Sequence, residues 1–246
     1  MAIRLFSSDL DGTLVGDNGS TARFREAFEA IPEARRPILV YNSGRLVDDI
    51  RSLIGAVGLP EPDFLIGGVG TMVHDHKADR AVDGFNDHLR AGFDAVKVAR
   101  ILGEVPDLSY QPKRYQHDFK SSWYLNDAKK SRLSAIRDTL SAEGLDVKLV
   151  YSSNRDLDVL PRAADKGACL SWLCDRLGIA HHEVAVAGDT GNDAAMFEVP
   201  GVRGIIPANG FDELRELARG NGDIYEAKGE IADGVIEGLR HFGVPI

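Results

Sequence analysis

The 246-residue sequence has only two cysteines and no hydrophobic run long enough to cross a bilayer. Cys169 and Cys174 stand five residues apart, a spacing that fits neither a CxxC redox site nor a zinc cluster. A membrane-spanning helix needs ~18 consecutive apolar residues, and the sequence offers none. These absences argue against a disulfide scaffold and a membrane transporter, so we expect a reduced, cytoplasmic protein.

Basic charge is also scarce, since 29 Lys and Arg face 38 Asp and Glu for a formal net charge of −9. Surfaces that bind nucleic acid or anionic lipid need a clustered basic excess, so we expect neither partner. The glycine-rich stretch at residues 67–70 lacks the context of a Walker A or GxGxxG motif. With 43% hydrophobic and 27% charged residues, the composition is that of a folded globular protein.

Short apolar runs alternate with helical stretches in the first third of the chain. The runs at residues 3–8, 37–41 and 64–66 are separated by segments with helical spacing, and the same pattern resumes after Lys166. Uniformly apolar strands between helices are typical of a parallel sheet that is covered on both faces. The sequence therefore predicts an α/β fold with a parallel sheet.

The middle of the chain has a different pattern. Its periodicities predict an αββαββ order, with helices at 85–102 and 127–142 and strands at 109–118, 120–125, 147–152 and 157–160. This order indicates a small α+β domain at residues 82–160. The domain would be inserted into a catalytic core that residues 1–81 and 161–246 form together.

Carboxylates follow two of the predicted core strands. Asp9 and Asp11 come directly after the first strand, and Asp189 and Asp193 follow a strand at 184–187. Open α/β sheets bind ligands where their parallel strands end. Carboxylates after a buried strand are costly without a counter-charge, and oxygen-only ligands suit Mg²⁺. We therefore expect a magnesium site here, although a solvated turn remains an alternative for Asp193.

Two further segments have the chemistry of a phosphate site. Ser43 and Gly44 follow the second strand, where a hydroxyl and backbone amides can bind phosphate oxygens, although serine at a helix start is commonly an N-cap. Lys166 and Gly167 enter a predicted helix. Because the helix dipole disfavours a cation at this end, the lysine indicates an anionic partner.

In order and spacing, DxDGT at 9–13, Ser43, Lys166 and GDxxND at 188–193 resemble motifs one to four of the haloacid dehalogenase-like hydrolases. The resemblance implies a Rossmann-like core, with Asp9 as the nucleophile that forms an aspartyl-phosphate and Asp11 as the general acid and then base. It implies phosphate binding by Ser43, Gly44, Lys166 and Asn192. It implies Mg²⁺ binding by Asp9, the Asp11 carbonyl, Asp189 and Asp193.

The insertion lies between motifs two and three, the position of a C2-type cap domain that selects the substrate. Nearly the whole chain is similar to the group of sucrose-phosphate and mannosylfructose-phosphate phosphatases, notably at KSSWYL (120–125) and DLDVLP (156–161). Gly12 and Ser43 stand where that group usually has asparagine and often threonine. The resemblance implies hydrolysis of a disaccharide 6-phosphate, with sucrose 6-phosphate the first choice. The sugar-binding residues would be Gln116, Asp118 and Lys120.

Other activities stay open at this stage. Mannosylfructose-phosphate phosphatases resemble the same group, and trehalose-phosphate and mannosylphosphoglycerate phosphatases are more distant relatives with a similar cap topology. Phosphohexomutases share DxDGT and a C2 cap. A non-catalytic sugar-phosphate-binding protein would usually have lost one of Asp9, Asp11, Lys166 or Asp189, and all four are present. An upstream glycosyl-phosphate synthase is the partner that the resemblance implies.

Overall fold

A computed structural model describes residues 2–90 and 92–246 of the chain. These residues divide into two compact units, of which the first comprises the chain up to Ala81 together with Lys166–Ile246, and the second comprises Val82–Asp165. Within the described ranges, no helix combines the length and the apolar character that a bilayer span requires.

An eight-stranded sheet forms the centre of the first unit. Its strands are β1 (Leu5–Ser8), β2 (Ile38–Asn42), β3 (Phe64–Gly67), β4 (Met72–Asp75), β5 (Arg80–Ala81), β10 (Val184–Ala187), β11 (Arg203–Ile206) and β12 (Ile224–Glu226). The strand order is β12-β11-β10-β1-β2-β3-β4-β5. From β12 to β3 neighbouring strands run parallel, as the apolar runs predict, whereas β4 and β5 add an antiparallel edge.

Helices cover both faces of this sheet. They are α1 (Asn18–Glu29), α2 (Val47–Val57), α6 (Lys166–Leu177), α7 (Ala194–Phe197), α8 (Asp212–Ala218) and α9 (Ile231–His241). Side chains of α1, α2 and α9 share one buried cluster with Phe6 and Tyr41 of the sheet. From the opposite face, Ser7 Oγ contacts Met196 Sδ of α7 at 3.9 Å. This double covering explains why the central strands carry apolar residues without alternation.

The second unit is an antiparallel sheet with helices. Its elements are α3 (Phe85–Leu89), α4 (Ala95–Leu102), β6 (Ser109–Tyr110), β7 (Ser121–Tyr124), α5 (Lys130–Ala142), β8 (Val147–Ser152) and β9 (Asp156–Pro161), with strand order β6-β7-β9-β8. One predicted helix, 85–102, is in fact two. Gly92 between them has a left-handed φ of +76°, and the Asp94 carboxylate caps α4 by accepting from the backbone N–H of Lys97 at 2.9 Å.

The predicted strand 109–118 is wrong beyond its second residue. Pro112 has no N–H to donate to a ladder, and a short helical turn follows it. The Gln116 side chain replaces some of the backbone hydrogen bonds that a continued strand would make. Its amide donates to the carbonyls of Gln111 and Ser122 and accepts from the Ser122 N–H. Gln116 and Asp118 therefore lie in a loop, not on a strand. At its other end the second unit continues to Asp165, five residues beyond the predicted 160.

Candidate active site

Three adjacent parallel strands carry the site. In the register, Ser8 of β1 pairs with Ala187 of β10 on one side and with Tyr41 of β2 on the other. The residues that follow these strands therefore emerge at one edge of the sheet. That edge brings together the segments of Asp9 and Asp189, which lie 180 positions apart in the sequence.

The centre of the site is an acid cluster, which we define as Asp9, Asp189 and Asp193. One carboxylate oxygen from each residue lies within 4.8 Å of the others, and all three residues are buried. The Lys166 Nζ, itself fully buried, donates to Asp9 Oδ1 at 2.7 Å and to Asp193 Oδ1 at 2.6 Å. Three carboxylates against one ammonium leave an excess of negative charge in a dry environment.

The electrostatics of the acid cluster show this excess. Burial, reinforced by the neighbouring carboxylates, raises the pKa of Asp9 well above its usual range and that of Asp189 to about 7. Burial by itself would lower the pKa of Lys166, but the charges of Asp193 and Asp9 outweigh it and raise this pKa. An additional cation would relieve the repulsion, and oxygen-only donors fit a hard divalent ion.

Hydrogen bonds and a close approach of the backbone fix the directions of the Asp189 and Asp193 carboxylates. Asp193 Oδ2 accepts from the backbone N–H groups of Asp189 and Thr190, both at 3.0 Å. The Thr13 hydroxyl donates to Asp189 Oδ1 at 2.9 Å. A Cβ on Gly12 would lie 2.2 Å from Asp189 Oδ2, so only glycine lets the two segments approach this closely.

The Asp11 carboxylate does not join the cluster. It is half exposed, and Arg45 grips it with two hydrogen bonds, from Nε at 2.6 Å and from Nη2 at 2.8 Å. This contact holds the Asp11 side chain apart from the buried acids, and its role as general acid stays a prediction. Sequence reasoning missed Arg45, although its position directly after Ser43 and Gly44 was an available signal.

Three of the four predicted phosphate-binding residues lie on two neighbouring turns, and the fourth, Lys166, begins a helix. Ser43 is buried, and its Oγ accepts from the Arg45 backbone N–H at 3.2 Å. Asn192 Nδ2 lies 3.9 Å from the point where a Cβ on Gly44 would stand. The turn after β2 and the turn after β10 are therefore in contact at Gly44. Lys166 begins α6, as predicted, and its backbone carbonyl accepts from Asn42 Nδ2 at 3.0 Å.

Comparison with known proteins assigns the chain to a family. The model of the family described as sucrose-6F-phosphate phosphohydrolase matches residues 2–243. The chain belongs to this family. The fold prediction, an α/β Rossmann-like core with an inserted smaller α+β unit, is confirmed by the sheet topology and by the relatives below.

The names of the relatives give two different substrates. A mannosylfructose-phosphate phosphatase from Agrobacterium fabrum is 50% identical over 242 residues, which cover 98% of each chain. Sucrose-phosphatase 1 of Nicotiana tabacum is 31% identical, and the match covers 96% of this chain but only 58% of the plant protein. The structure of a sucrose-phosphatase from Synechocystis, solved in complex with sucrose and phosphate, has a TM-score of 0.89 at 28% identity and covers 98% of both chains.

The predicted sugar-binding residues of this family member lie in the second unit and differ in environment. Lys120 is buried and forms an ion pair with Asp158 at 3.2 Å, and the Ser122 hydroxyl donates to the same Asp158 carboxylate at 2.6 Å. Asp118 is exposed. Gln116 uses both amide hydrogens on backbone carbonyls of its own loop. The role of all three in binding sugar stays a prediction.

Proposed function

We propose that the protein is a magnesium-dependent phosphatase that releases phosphate from a disaccharide phosphate. The observation that carries this proposal is the buried acid cluster with Lys166 at the edge of the sheet, in a chain that belongs to the sucrose-6F-phosphate phosphohydrolase family. The cluster offers a carboxylate nucleophile, a buried cation for phosphoryl oxygens and oxygen ligands for Mg²⁺.

The chemistry divides into two displacements. An Asp9 oxygen attacks phosphorus, the bond from phosphorus to the sugar oxygen breaks, and Asp11 gives its proton to the leaving alkoxide. Asp11 then takes a proton from water, whose oxygen attacks phosphorus. The bond between phosphorus and the Asp9 oxygen breaks, so phosphate leaves and the Asp9 carboxylate is restored. Lys166, Ser43, Gly44 and Asn192 hold the phosphoryl oxygens. Asp9, the Asp11 carbonyl, Asp189 and Asp193 would hold Mg²⁺, which would supply positive charge for those oxygens.

The sugar is the finer part of the proposal. Sucrose 6-phosphate is the choice from sequence and agrees with the name of the family. Mannosylfructose phosphate gains weight because the relative with that activity is 50% identical along the whole chain. We propose that residues of the second unit, with Lys120, Gln116 and Asp118 as first candidates, distinguish the two. The upstream enzyme would be the synthase that makes the chosen phosphate, and we propose a cytoplasmic location, consistent with two buried free cysteines.

Phosphate release from a panel of substrates tests the proposal. The panel is sucrose 6-phosphate, mannosylfructose 6-phosphate, trehalose 6-phosphate, mannosylphosphoglycerate, fructose 6-phosphate and p-nitrophenyl phosphate, each with Mg²⁺ and with EDTA. We expect EDTA to abolish release and one fructosyl disaccharide phosphate to exceed the others by ~100-fold or more in kcat/KM. Weak and equal rates across the panel would overturn the disaccharide assignment.

A matched pair of substrates tests the second unit. Replacing Lys120→Met should lower kcat/KM for the preferred disaccharide phosphate by about tenfold or more and leave p-nitrophenyl phosphate within about threefold, because the latter has no sugar to bind. Equal losses of kcat/KM on both substrates would show that Lys120 does not bind the sugar. Interconversion of hexose 1-phosphate and hexose 6-phosphate that requires an added hexose bisphosphate, without net phosphate release, would instead indicate a phosphohexomutase.

A further inference from the structure

A loop outside the four motifs connects the two acidic segments of the site. We call residues 207–211, which follow β11, the tie loop. Asn209 donates from Nδ2 to the Gly12 carbonyl at 2.7 Å, and its Oδ1 accepts from the Ile231 backbone N–H at 2.7 Å. Two residues later, the Phe211 N–H donates to the Asp189 carbonyl at 2.8 Å. The tie loop therefore contacts the segment of Asp9 and the segment of Asp189 at once.

The contact with Gly12 fixes the part of the nucleophile segment that touches Asp189. Holding the Gly12 carbonyl sets the plane of the peptide bond between Gly12 and Thr13. That plane places the Thr13 hydroxyl on Asp189 Oδ1 and the Gly12 α-carbon beside Asp189 Oδ2. Asn209 thus acts on the Asp189 carboxylate through two intermediate residues and touches no reacting atom.

The other partner of Asn209 is held in an unusual conformation. Ile231, at the start of α9, has φ of +50°, a left-handed value that a β-branched residue rarely adopts. A Cβ on Gly16 would lie 2.9 Å from Ile231 Cδ1, so this side chain packs on the end of the nucleophile segment. Strained residues persist where several contacts determine them together, and they cluster at functional sites.

We infer that Asn209 is a positioning residue for the cation site, and that it ties the nucleophile segment to α9 so that the Asp189 carboxylate faces the cation in a fixed direction. The inference rests on the proposed function for the identity of the cation. Residues that orient the ligands of a metal commonly change its affinity or the activity 10–100-fold when they are replaced. Loss of Asn209 should have an effect in that range.

The substitution Asn209→Leu keeps the approximate volume and removes both hydrogen bonds. Asn221→Leu is the matched control, since Asn221 lies on an exposed turn where its Oδ1 accepts from the Asp223 N–H at 3.0 Å. Isothermal titration with Mg²⁺ should show binding about tenfold to 100-fold weaker for Asn209→Leu and unchanged for Asn221→Leu. The Mg²⁺ concentration for half-maximal phosphate release should rise in parallel, with KM for p-nitrophenyl phosphate within about threefold at saturating Mg²⁺.

A purely structural role for Asn209 would lower the Tm and leave Mg²⁺ affinity unchanged in the folded protein, and that result overturns the inference. So does equal weakening in Asn221→Leu, or a wild-type protein that does not bind Mg²⁺. If Asn209→Leu does not fold, Asn209→Ser, whose hydroxyl is too short to bridge Gly12 and Ile231, decides in the same way. A wild-type protein that binds Mg²⁺ but releases no phosphate would refute the proposed function alone.

Discussion

Each unit of the molecule buries charged side chains, but with different stoichiometry. In the first unit Lys166 contacts Asp9 and Asp193, and Asp189 completes a set of three carboxylates around one ammonium. In the second unit Lys120 forms an ion pair with Asp158, whose carboxylate also accepts a hydrogen bond from the Ser122 hydroxyl. The first arrangement needs a further cation or bound protons to be neutral, whereas the Lys120–Asp158 pair balances its own charges.

The difference shows how to distinguish buried charges that bind a ligand from buried charges that stabilise the fold. In a buried ion pair of matched charge, each group neutralises the other, and the pair links the two segments that carry it. A buried surplus of one sign costs free energy unless something binds to it, so its retention indicates a site. The experiments below replace matching residues in the two clusters.

The largest expected effect is on turnover. Asp9→Asn removes the proposed nucleophile and should reduce kcat for p-nitrophenyl phosphate by at least ~10⁴-fold. Asp158→Asn, the same change in the second unit, should leave that kcat within about threefold. Steady-state phosphate release measures both, and comparable losses in the two variants would show that the acid cluster has no special catalytic role.

The next effect is on the free energy of unfolding without metal. Lys166→Met leaves three buried carboxylates without their ammonium and should cost about 3–5 kcal/mol, in part recovered by Mg²⁺. Lys120→Met leaves one carboxylate that keeps the Ser122 hydroxyl, so we expect about 2 kcal/mol and no effect of Mg²⁺. Urea unfolding with EDTA and with Mg²⁺ measures both. Equal costs, with the same response to Mg²⁺, would contradict the distinction between the two clusters.

A third effect is the pH dependence of stability. Because the pKa of Asp189 is raised to about 7 in the folded protein, the native state keeps this proton at pH values where the unfolded chain has lost it. The contribution of Asp189 is therefore present at low pH and is lost as pH rises from about 4 to about 7. With EDTA, Tm should fall between about pH 4 and about pH 7 more steeply in wild type than in Asp189→Asn.

Mg²⁺ is the control for that experiment, since a bound cation favours ionised carboxylates and should flatten the wild-type curve. Burial and the charge of Asp193 together raise the pKa of Asp189, while the hydrogen bond from Thr13 lowers it. Identical curves for wild type and Asp189→Asn in EDTA would mean that Asp189 does not hold its proton in the metal-free fold.

The smallest expected effect is that of breaking the two hydrogen bonds between Arg45 and Asp11. Arg45→Gln should lower kcat about tenfold, because the Asp11 carboxylate loses the contact that directs it. Arg23 grips Asp233 with the same two-bonded geometry, at 2.9 and 2.7 Å, away from the motifs, so Arg23→Gln should change kcat less than twofold. An unchanged kcat in Arg45→Gln would show that the Arg45–Asp11 contact is an ordinary surface ion pair without a role in turnover.

Much of the fold and the motif residues could be predicted because they depend on local pattern. Apolar runs between helices predict the parallel strands, and the carboxylates at their ends follow from position alone. The split of residues 85–102 into two helices and the early end of β6 were not predicted. Both depend on single residues, Gly92 and Pro112, whose effect the periodicity of the surrounding sequence conceals.

The sequence by itself determined which acids, lysine and hydroxyl are present, their order and the sheet edge at which they emerge. Only the tertiary structure decided which of the carboxylates share one ammonium in a dry cluster, that Arg45 holds Asp11, and that Asn209 reaches Gly12 across 197 positions of sequence. Composition and spacing do not show how far a side chain is removed from water or in which direction it points. Both arise from neighbours that folding brings together, and they give each charged residue its role.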